Sequence, residues 1–234
     1  MCMNERYEQL GVAVTCRSFE EYARMFDLEV SRLGGRILDI AGGASSFTAE
    51  AVARGLDACA VDPRYALEHE ALIREAGEEI EASTAKLDKL RDKFDFSYYG
   101  SLERHRANRE ASLRRFAGHY GDPAERQRRY AAGSLPRLPF EDGRFDTVLC
   151  SHFLFLYEEQ FDYGFHRDAV LEMMRVCKTG GTLRIYPVMS LGWTPYASME
   201  ELLDAIRARG GAPGFYASKL PFIPGSELGL FVNL

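Results

Sequence analysis

Asp39-Ile40-Ala41-Gly42-Gly43-Ala44-Ser45-Ser46-Phe47 is the stretch that decides the fold. It follows a short apolar run, Arg36-Ile37-Leu38, that closes on a carboxylate, and an alanine-rich helical pattern comes straight after it. Small residues at 41 to 45 let the backbone turn sharply and let a ligand approach the main chain. A helix starting near Ser45 would offer unpaired N–H groups and a positive dipole end to an anion. Asp39 sets a negative charge beside that place. The pattern therefore predicts a ligand carrying both an acidic and a cationic group, as an amino-acid-like molecule does. A dinucleotide fingerprint is a poor fit, because Gly42 and Gly43 are adjacent rather than spaced.

Working outward, Leu56-Asp57-Ala58-Cys59-Ala60-Val61-Asp62-Pro63 reads as a second buried strand ending in a carboxylate, after a helix from about Ser46 to Arg54. This makes a βαβ unit. Asp62 at the tip of the second strand is placed to accept hydrogen bonds from a ribose diol, and it also suits a cap before Pro63. Farther on, Leu138-Pro139-Phe140-Glu141-Asp142-Gly143-Arg144-Phe145-Asp146 leads into a strand ending at Cys150-Ser151. Then Arg175-Val176-Cys177-Lys178-Thr179-Gly180-Gly181 leads into another, ending near Tyr186.

With these four blocks in order, from about residue 36 to residue 187, the chain resembles the class I S-adenosylmethionine-dependent methyltransferases. The resemblance implies a Rossmann-like, doubly wound α/β sheet of seven strands, mostly parallel with the last antiparallel. It implies S-adenosylmethionine as methyl donor, with S-adenosylhomocysteine as product. Cofactor contacts would come from Asp39, Ala41, Gly42, Gly43, Phe47, Asp62, Pro63, Ser134, Leu135 and Ser151. The chain departs from the pattern in places. Ala41 and Ser45 stand where the family usually has its first and third glycines, and Ser134 replaces a common acidic residue near the adenine. Thr179 stands in place of a proline.

Length and composition agree. The 234 residues suit one domain, 1–234, with a helical insertion or cap at 64–129. A hydrophobic content of 46% can fill a core, and a net charge of -6 weighs against nonspecific nucleic-acid binding. No run of 18 apolar residues is present, and Met1 to Glu8 is polar rather than signal-like, so a cytoplasmic protein without a membrane partner is expected. Cysteines 2, 16, 59, 150 and 177 have no paired spacing and read as reduced thiols, not zinc ligands. No acid and histidine cluster has metal spacing.

The insertion is acidic at first (Glu68 to Glu81) and basic later (Arg104 to Arg129), with Phe94-Asp95-Phe96-Ser97-Tyr98-Tyr99-Gly100 between. So long a stretch without structure would be improbable, and two or three helices are expected. As a cap it would bring Tyr98 and Tyr99 to a substrate, with Arg104, Arg106 and Arg109 steering an anion. As decoration it would simply present charged faces to water. Ahead of the glycine turn, Ser18 and Glu21 form a capping box for a helix over 18–26.

Chemistry is expected at the carboxyl ends of the strands, where the sheet order reverses. There His152 is the first candidate for a general base and His166 the second, with Tyr157 and Tyr163 orienting substrate. Each of these side chains also has an ordinary structural reading. Toward the end of the chain, a helix capped by Ser198 and a hairpin of 214–222 with 228–234 would complete the sheet. The reading reached is methyl transfer to an oxygen or nitrogen of a small molecule. RNA methylation through the insertion's arginines and a non-catalytic cofactor binder are the alternatives. Oligomeric state is not legible.

Overall fold

The computed structural model describes Tyr7, Gln9 and residues 11–234. The readings made for Cys2 and, Tyr7 apart, for the polar N-terminal run lie outside the described residues.

Seven strands form one sheet: β1 (Arg36–Ile40), β2 (Asp57–Val61), β3 (Tyr130–Ala131), β4 (Phe145–Ser151), β5 (Cys177–Tyr186), β6 (Ala212–Ala217) and β7 (Leu228–Asn233). Their order is β3-β2-β1-β4-β5-β7-β6. β1 to β5 run parallel, and β7 lies antiparallel to both β5 and β6. The seven-stranded Rossmann-like α/β architecture expected from the sequence is thus present. β1 registers Ile40 beside Val61 of β2 and Cys150 of β4. That register brings Asp39, Asp62 and Ser151 to one end of the sheet, at the point where the order reverses.

Around the sheet lie α1 (Phe19–Met25), α2 (Phe47–Ala53), α3 (His69–Lys89), α4 (Leu102–Gly121), α5 (Pro123–Arg129), α6 (Tyr163–Val176) and α7 (Met199–Ala208). The start of α1 is held by the capping box of Ser18 and Glu21, with both reciprocal bonds formed. Ser198 occupies the cap position of α7, but its side chain makes no capping bond. Most of the β-sheet core comes from the inward sides of β1, β4, β5 and β7 packed on α6 and α7, among them Leu38, Val148, Val170, Met173, Leu183 and Leu230.

Residues 64–129 carry α3, α4 and α5. The acid-then-base order of the sequence has a simple origin: α3 and α4 run back along each other, so their charges meet. Arg106 of α4 pairs with Glu81 of α3, while Gly121 at the far end of α4 lies by His69 at the start of α3. Inward, Leu72, Ala76, Ile80, Phe116 and Tyr120 form an apolar seam with Val14, Ala44, Ala60 and Tyr130. The aromatic run at 94–99 is no free linker. Phe94, Phe96 and Tyr99 pack their rings against Phe222, at 5.1, 5.2 and 5.3 Å. The last hairpin differs from its expected bounds, since β6 is 212–217 and the chain then leaves the sheet, with Lys219 N–H donating to Arg24 O at the end of α1.

Candidate functional site

Two neighbouring places at the carboxyl end of the sheet carry polar chemistry: the glycine turn after β1, and a cavity between α3, α4 and the loops after β4 and β5.

At the turn, Ala41 and Gly43 both adopt left-handed backbone, with φ of 56° and 54°. Asp39 is buried, and the Tyr22 hydroxyl donates to its carboxylate at 3.0 and 3.2 Å. Asp62, also buried, accepts from Gly43 N–H at 3.0 Å and from Arg64 N–H at 2.9 Å. Burial pushes Asp39 well above the ordinary carboxylate range, and the nearby Asp62 adds to that; burial likewise raises Asp62. Arg64, the cation nearest in sequence, gives its guanidinium to Glu75 and to Val12 O instead. Arg64 still lowers Asp62 through space, but among the described residues neither of the two buried carboxyls at the strand tips is in an ion pair.

The helix end beside them differs from expectation. The segment 13–17 crosses the glycine turn and takes the amides an anion would use: Ala44 N–H donates to Thr15 O and Ser46 N–H to Arg17 O, both at 3.0 Å. A side chain on Gly43 would come within 3.1 Å of Thr15 backbone atoms. The glycines thus admit this chain's own backbone, and the amides of Ala44 and Ser46 just ahead of α2 are already taken. Phe47 is a second correction. It is fully buried, stacked on Tyr22 at 4.4 Å and on Phe19 at 5.4 Å, in the core rather than toward a ligand. Pro63 and Ser134 form an exposed rim, Leu135 is buried behind it, and Ala41 is partly exposed.

The cavity has a volume of about 110 Å³. Segment 13–17 forms one wall; Glu79 and Ile80 of α3, His105 and Arg109 of α4, His152, Tyr157, Trp193 and Phe222 complete it. His152 sits just beyond β4 with a left-handed φ of 51°, unusual for a side chain of its size. Its N–H donates to Tyr186 O at 2.7 Å and its Nδ1 lies 3.0 Å from Ser151 Oγ. Burial, then Arg17 and Arg109, hold its imidazole well below the usual range, so the ring is neutral. Tyr157 Oη accepts from Ala13 N–H at 3.0 Å and so ties the loop after β4 to the crossing segment.

Other expected residues lie elsewhere. His166 of α6 is buried with Nδ1 against Asp162 O at 2.8 Å and Nε2 against Leu154 O at 3.1 Å, which fixes a loop and leaves no nitrogen for substrate. Tyr163 is at the start of α6, away from the cavity lining. Tyr98 is half-buried beneath Arg24, and Tyr99 turns its hydroxyl to Glu21 at 2.6 Å. Neither lines the cavity. Arg104 is exposed and Arg106 is engaged by Glu81 and Glu110. Of the three arginines expected to steer an anion, only Arg109 lines the cavity. Arg64, Arg91 and Arg129 of the insertion also meet acids, whereas Arg114, Arg115, Arg126 and Arg128 are in no ion pair among the described residues.

Of the residues that dominate the cavity's electrostatics, the sequence singled out Arg109 but not Arg17, and Glu21 only as a cap. Glu21, read as half of a capping box, is fully buried and accepts from Arg109 Nη1 at 2.6 Å. Burial alone would raise Glu21, but Arg109 and Arg17 outweigh it and hold it below its ordinary value. Arg109 Nη2 donates to Tyr99 Oη at 2.9 Å and meets His105 Nε2 at 3.2 Å. Arg17 stands 3.8 Å from Glu21, beyond hydrogen-bond reach. The available signal was an arginine next to a capping box and a lone tryptophan, neither of which identifies a pocket.

The comparisons agree with this architecture. Residues 109–185 match the family model described as "Methyltransferase domain". The matched stretch runs from within α4 through β5, about a third of the chain. An uncharacterized protein of Methanocaldococcus jannaschii is 28% identical over 194 residues, covering 82% of this chain and 85% of its own. Among solved structures, a TehB-like SAM-dependent methyltransferase from Corynebacterium glutamicum aligns with TM-score 0.49 and 15% identity, over 90% of this chain and 84% of that one. The 1,6-didemethyltoxoflavin-N1-methyltransferase of Burkholderia thailandensis, solved with its substrate and S-adenosylhomocysteine, aligns with TM-score 0.49 and 15% identity, over 92% and 75%.

Among the described residues, no cluster of His, Cys, Asp and Glu could hold a metal, and no helix is long and apolar enough to cross a membrane.

Proposed function

We propose that the chain is an S-adenosylmethionine-dependent methyltransferase acting on an oxygen or nitrogen of a small molecule held in the 110 Å³ cavity. The observation that carries this reading is the pair Asp39 and Asp62, buried at adjacent strand tips with no cation between them. A buried carboxyl pair of this kind is costly unless a ligand supplies positive charge and hydroxyl donors. An amine beside Asp39 and a ribose diol beside Asp62 would meet both needs, with the exposed rim of Pro63 and Ser134 and buried Leu135 toward the base. Ala41 and Ser151 border the same end of the sheet. The cofactor supplies a methyl group on a positively charged sulfur.

The chain's own residues do the remaining work. Walls of Val14, Leu156, Phe222 and Ile223 exclude water and fix the acceptor's position, which is most of what an in-line displacement requires. His152 is kept neutral, and in the tautomer whose Nδ1–H donates to Ser151 Oγ its Nε2 is the nitrogen left to take the acceptor's proton. Tyr157 holds the loop in place from the opposite side. Titration with S-adenosylhomocysteine by calorimetry tests the first part; absence of binding to the wild-type protein would end the reading. For the second, His152→Ala should retain that affinity while losing roughly 10²–10⁴-fold in turnover. Undiminished turnover would remove His152 from the chemistry.

A further inference from the structure

We infer that the cavity selects small carboxylic acids with an apolar body, the carboxylate resting on Arg17. The inference rests on the reading of this cavity as the acceptor site and names the acceptor's class. Four kinds of observation converge on it.

The first is charge. Arg17 and Arg109 are both buried, at 7% exposure each, and Glu21 is the carboxylate between them. Arg109 takes Glu21 at 2.6 Å, while Arg17 is left at 3.8 Å. Arg17 therefore faces the cavity with no counter-ion in hydrogen-bond contact, while the other lining carboxylate, Glu79, has Lys86 as its main counter-charge; a planar guanidinium with free donors suits a carboxylate.

The second is hydrogen bonding. Nε and Nη1 of Arg17, Nδ1 of His105 and Nε1 of Trp193 are all buried without a partner, and all three residues line the cavity. The tautomer of His105 follows from its neighbour. A guanidinium can only donate, so Nε2 accepts from Arg109 and Nδ1 carries the hydrogen. The unpartnered atoms of Arg17, His105 and Trp193 are thus donors, the complement of a carboxylate; Glu79 Oε1, an acceptor, and Thr15 Oγ1, which can donate or accept, are also unpartnered in the same lining. Buried donors in folded proteins are otherwise nearly always paired.

The third is shape and polarity. Val14, Ile80, Leu87, Phe94, Leu156 and Ile223 supply apolar wall, suited to a ring or short hydrocarbon body. About 110 Å³ is roughly eight times what one water molecule needs, room for a small acid. The fourth is position. Neither Asp39, Gly43 nor Asp62 lines the cavity, so Arg17 faces a space apart from the strand tips assigned to the methyl donor.

The test uses the full-length protein and neutral isosteres. Benzoate and phenylacetate are titrated against benzamide and phenylacetamide, with and without saturating S-adenosylhomocysteine. Each acid is expected to bind at least tenfold more tightly than its amide, with affinity kept or improved by S-adenosylhomocysteine. Arg17→Met should bring acid and amide level, and Arg17→Lys should restore part of the difference; unfolding curves establish that both variants fold. Equal binding of acid and amide by the wild-type protein, or no binding of either acid, overturns the inference without any variant. So does displacement of the acids by S-adenosylhomocysteine, which would make Arg17 a contact of the donor's own carboxylate. Failure of S-adenosylhomocysteine to bind while the acids do would instead remove the methyltransferase reading and leave the acid pocket standing.

Discussion

The glycine turn and the cavity wall lie on two sides of one crossing segment, residues 13–17, and they differ in how their polar groups are satisfied. On the turn side, Gly43, Ala44 and Ser46 all have partners for their amides, and Ser45 Oγ accepts from Arg17 N–H at 3.2 Å. On the cavity side, Arg17, His105 and Trp193 hold buried donors with none. A satisfied network is a frame completed by folding itself, whereas an unsatisfied one anticipates something that arrives later. The two arginines of the cavity sharpen the contrast, being alike in charge and burial and unlike in partners.

Removing one or the other should therefore have very different costs. Arg109→Met leaves Glu21 buried and short of its main counter-charge, and should destabilise the fold by about 3 to 5 kcal/mol. Arg17→Met removes a buried cation whose own protonated form is disfavoured by burial and by Arg109, so its cost should stay below about 1 kcal/mol. Urea unfolding with an unchanged denaturant slope measures both. Equal losses would erase the distinction between a paired and an unpaired arginine. On the turn side, Gly43→Ala places a Cβ 3.1 Å from Thr15 N and O while the backbone stays at φ 54°. Left-handed strain and crowding against rigid backbone together predict a loss of about 2 to 3 kcal/mol. Tolerance without a fall in stability would mean that segment 13–17 does not rest on the turn.

Frame and wall also differ in how far the sequence betrays them. The strand tips at Asp39 and Asp62 were legible because a strand, a small-residue turn and a helix follow one another locally, and each leaves its own periodicity. Ser18 and Glu21 were legible as a capping box for the same reason. What could not be read is that Glu21 serves Arg109 as well, because those residues are brought together only by folding, from 88 positions apart. Phe47 illustrates the opposite error. Its place beside the glycines suggested a ligand contact, but helical geometry turns it to Phe19 and Tyr22. His152 ranked ahead of His166 as a base in the sequence, but a structural reading stood beside each. Only the carbonyls of Asp162 and Leu154 around His166 separate a structural ring from one facing a cavity.

The wall's neutral histidines give it a signature in acid. Burial, then Arg109 and Arg17, lowers His105 far below its ordinary value of 6.5. Such a ring is uncharged in the folded state and takes up a proton on unfolding, so stability is lost as pH falls below about 6.5. The limiting slope is about 1.4 kcal/mol per pH unit for one histidine. Asp39 acts with the opposite sign: its raised value favours the folded state at low pH, and that contribution is lost as pH rises above the ordinary 3.8. Comparing wild type with His105→Phe cancels the Asp39 term, and the phenyl ring preserves the stack on Phe222, now 4.9 Å between centroids. The variant should show the shallower fall between pH 6.5 and 5. Parallel curves would mean that His105 is charged in the fold, and its Nε2 could then not accept from Arg109.

The smallest effect expected has the opposite direction. Ala41 holds a left-handed φ of 56° at the place where the methyltransferases it resembles usually have glycine. That conformation costs an alanine roughly 1–2 kcal/mol, which glycine avoids, while glycine gives back about 0.4–1 kcal/mol through the freedom of its unfolded chain. Ala41→Gly should thus stabilise the fold by about 0.5–1 kcal/mol, a rise in the urea midpoint with the slope unchanged. Ala41 is partly exposed and packs on the edge of the main core, so loss of its methyl gives up part of a contact and holds the gain to this small size. A gain here beside a loss at Gly43 would show that the turn asks for glycine at 43 to admit its own chain and takes alanine at 41 at a cost in strain. If Ala41→Gly destabilises instead, the contact of the Ala41 methyl with the core outweighs the strain of its left-handed backbone.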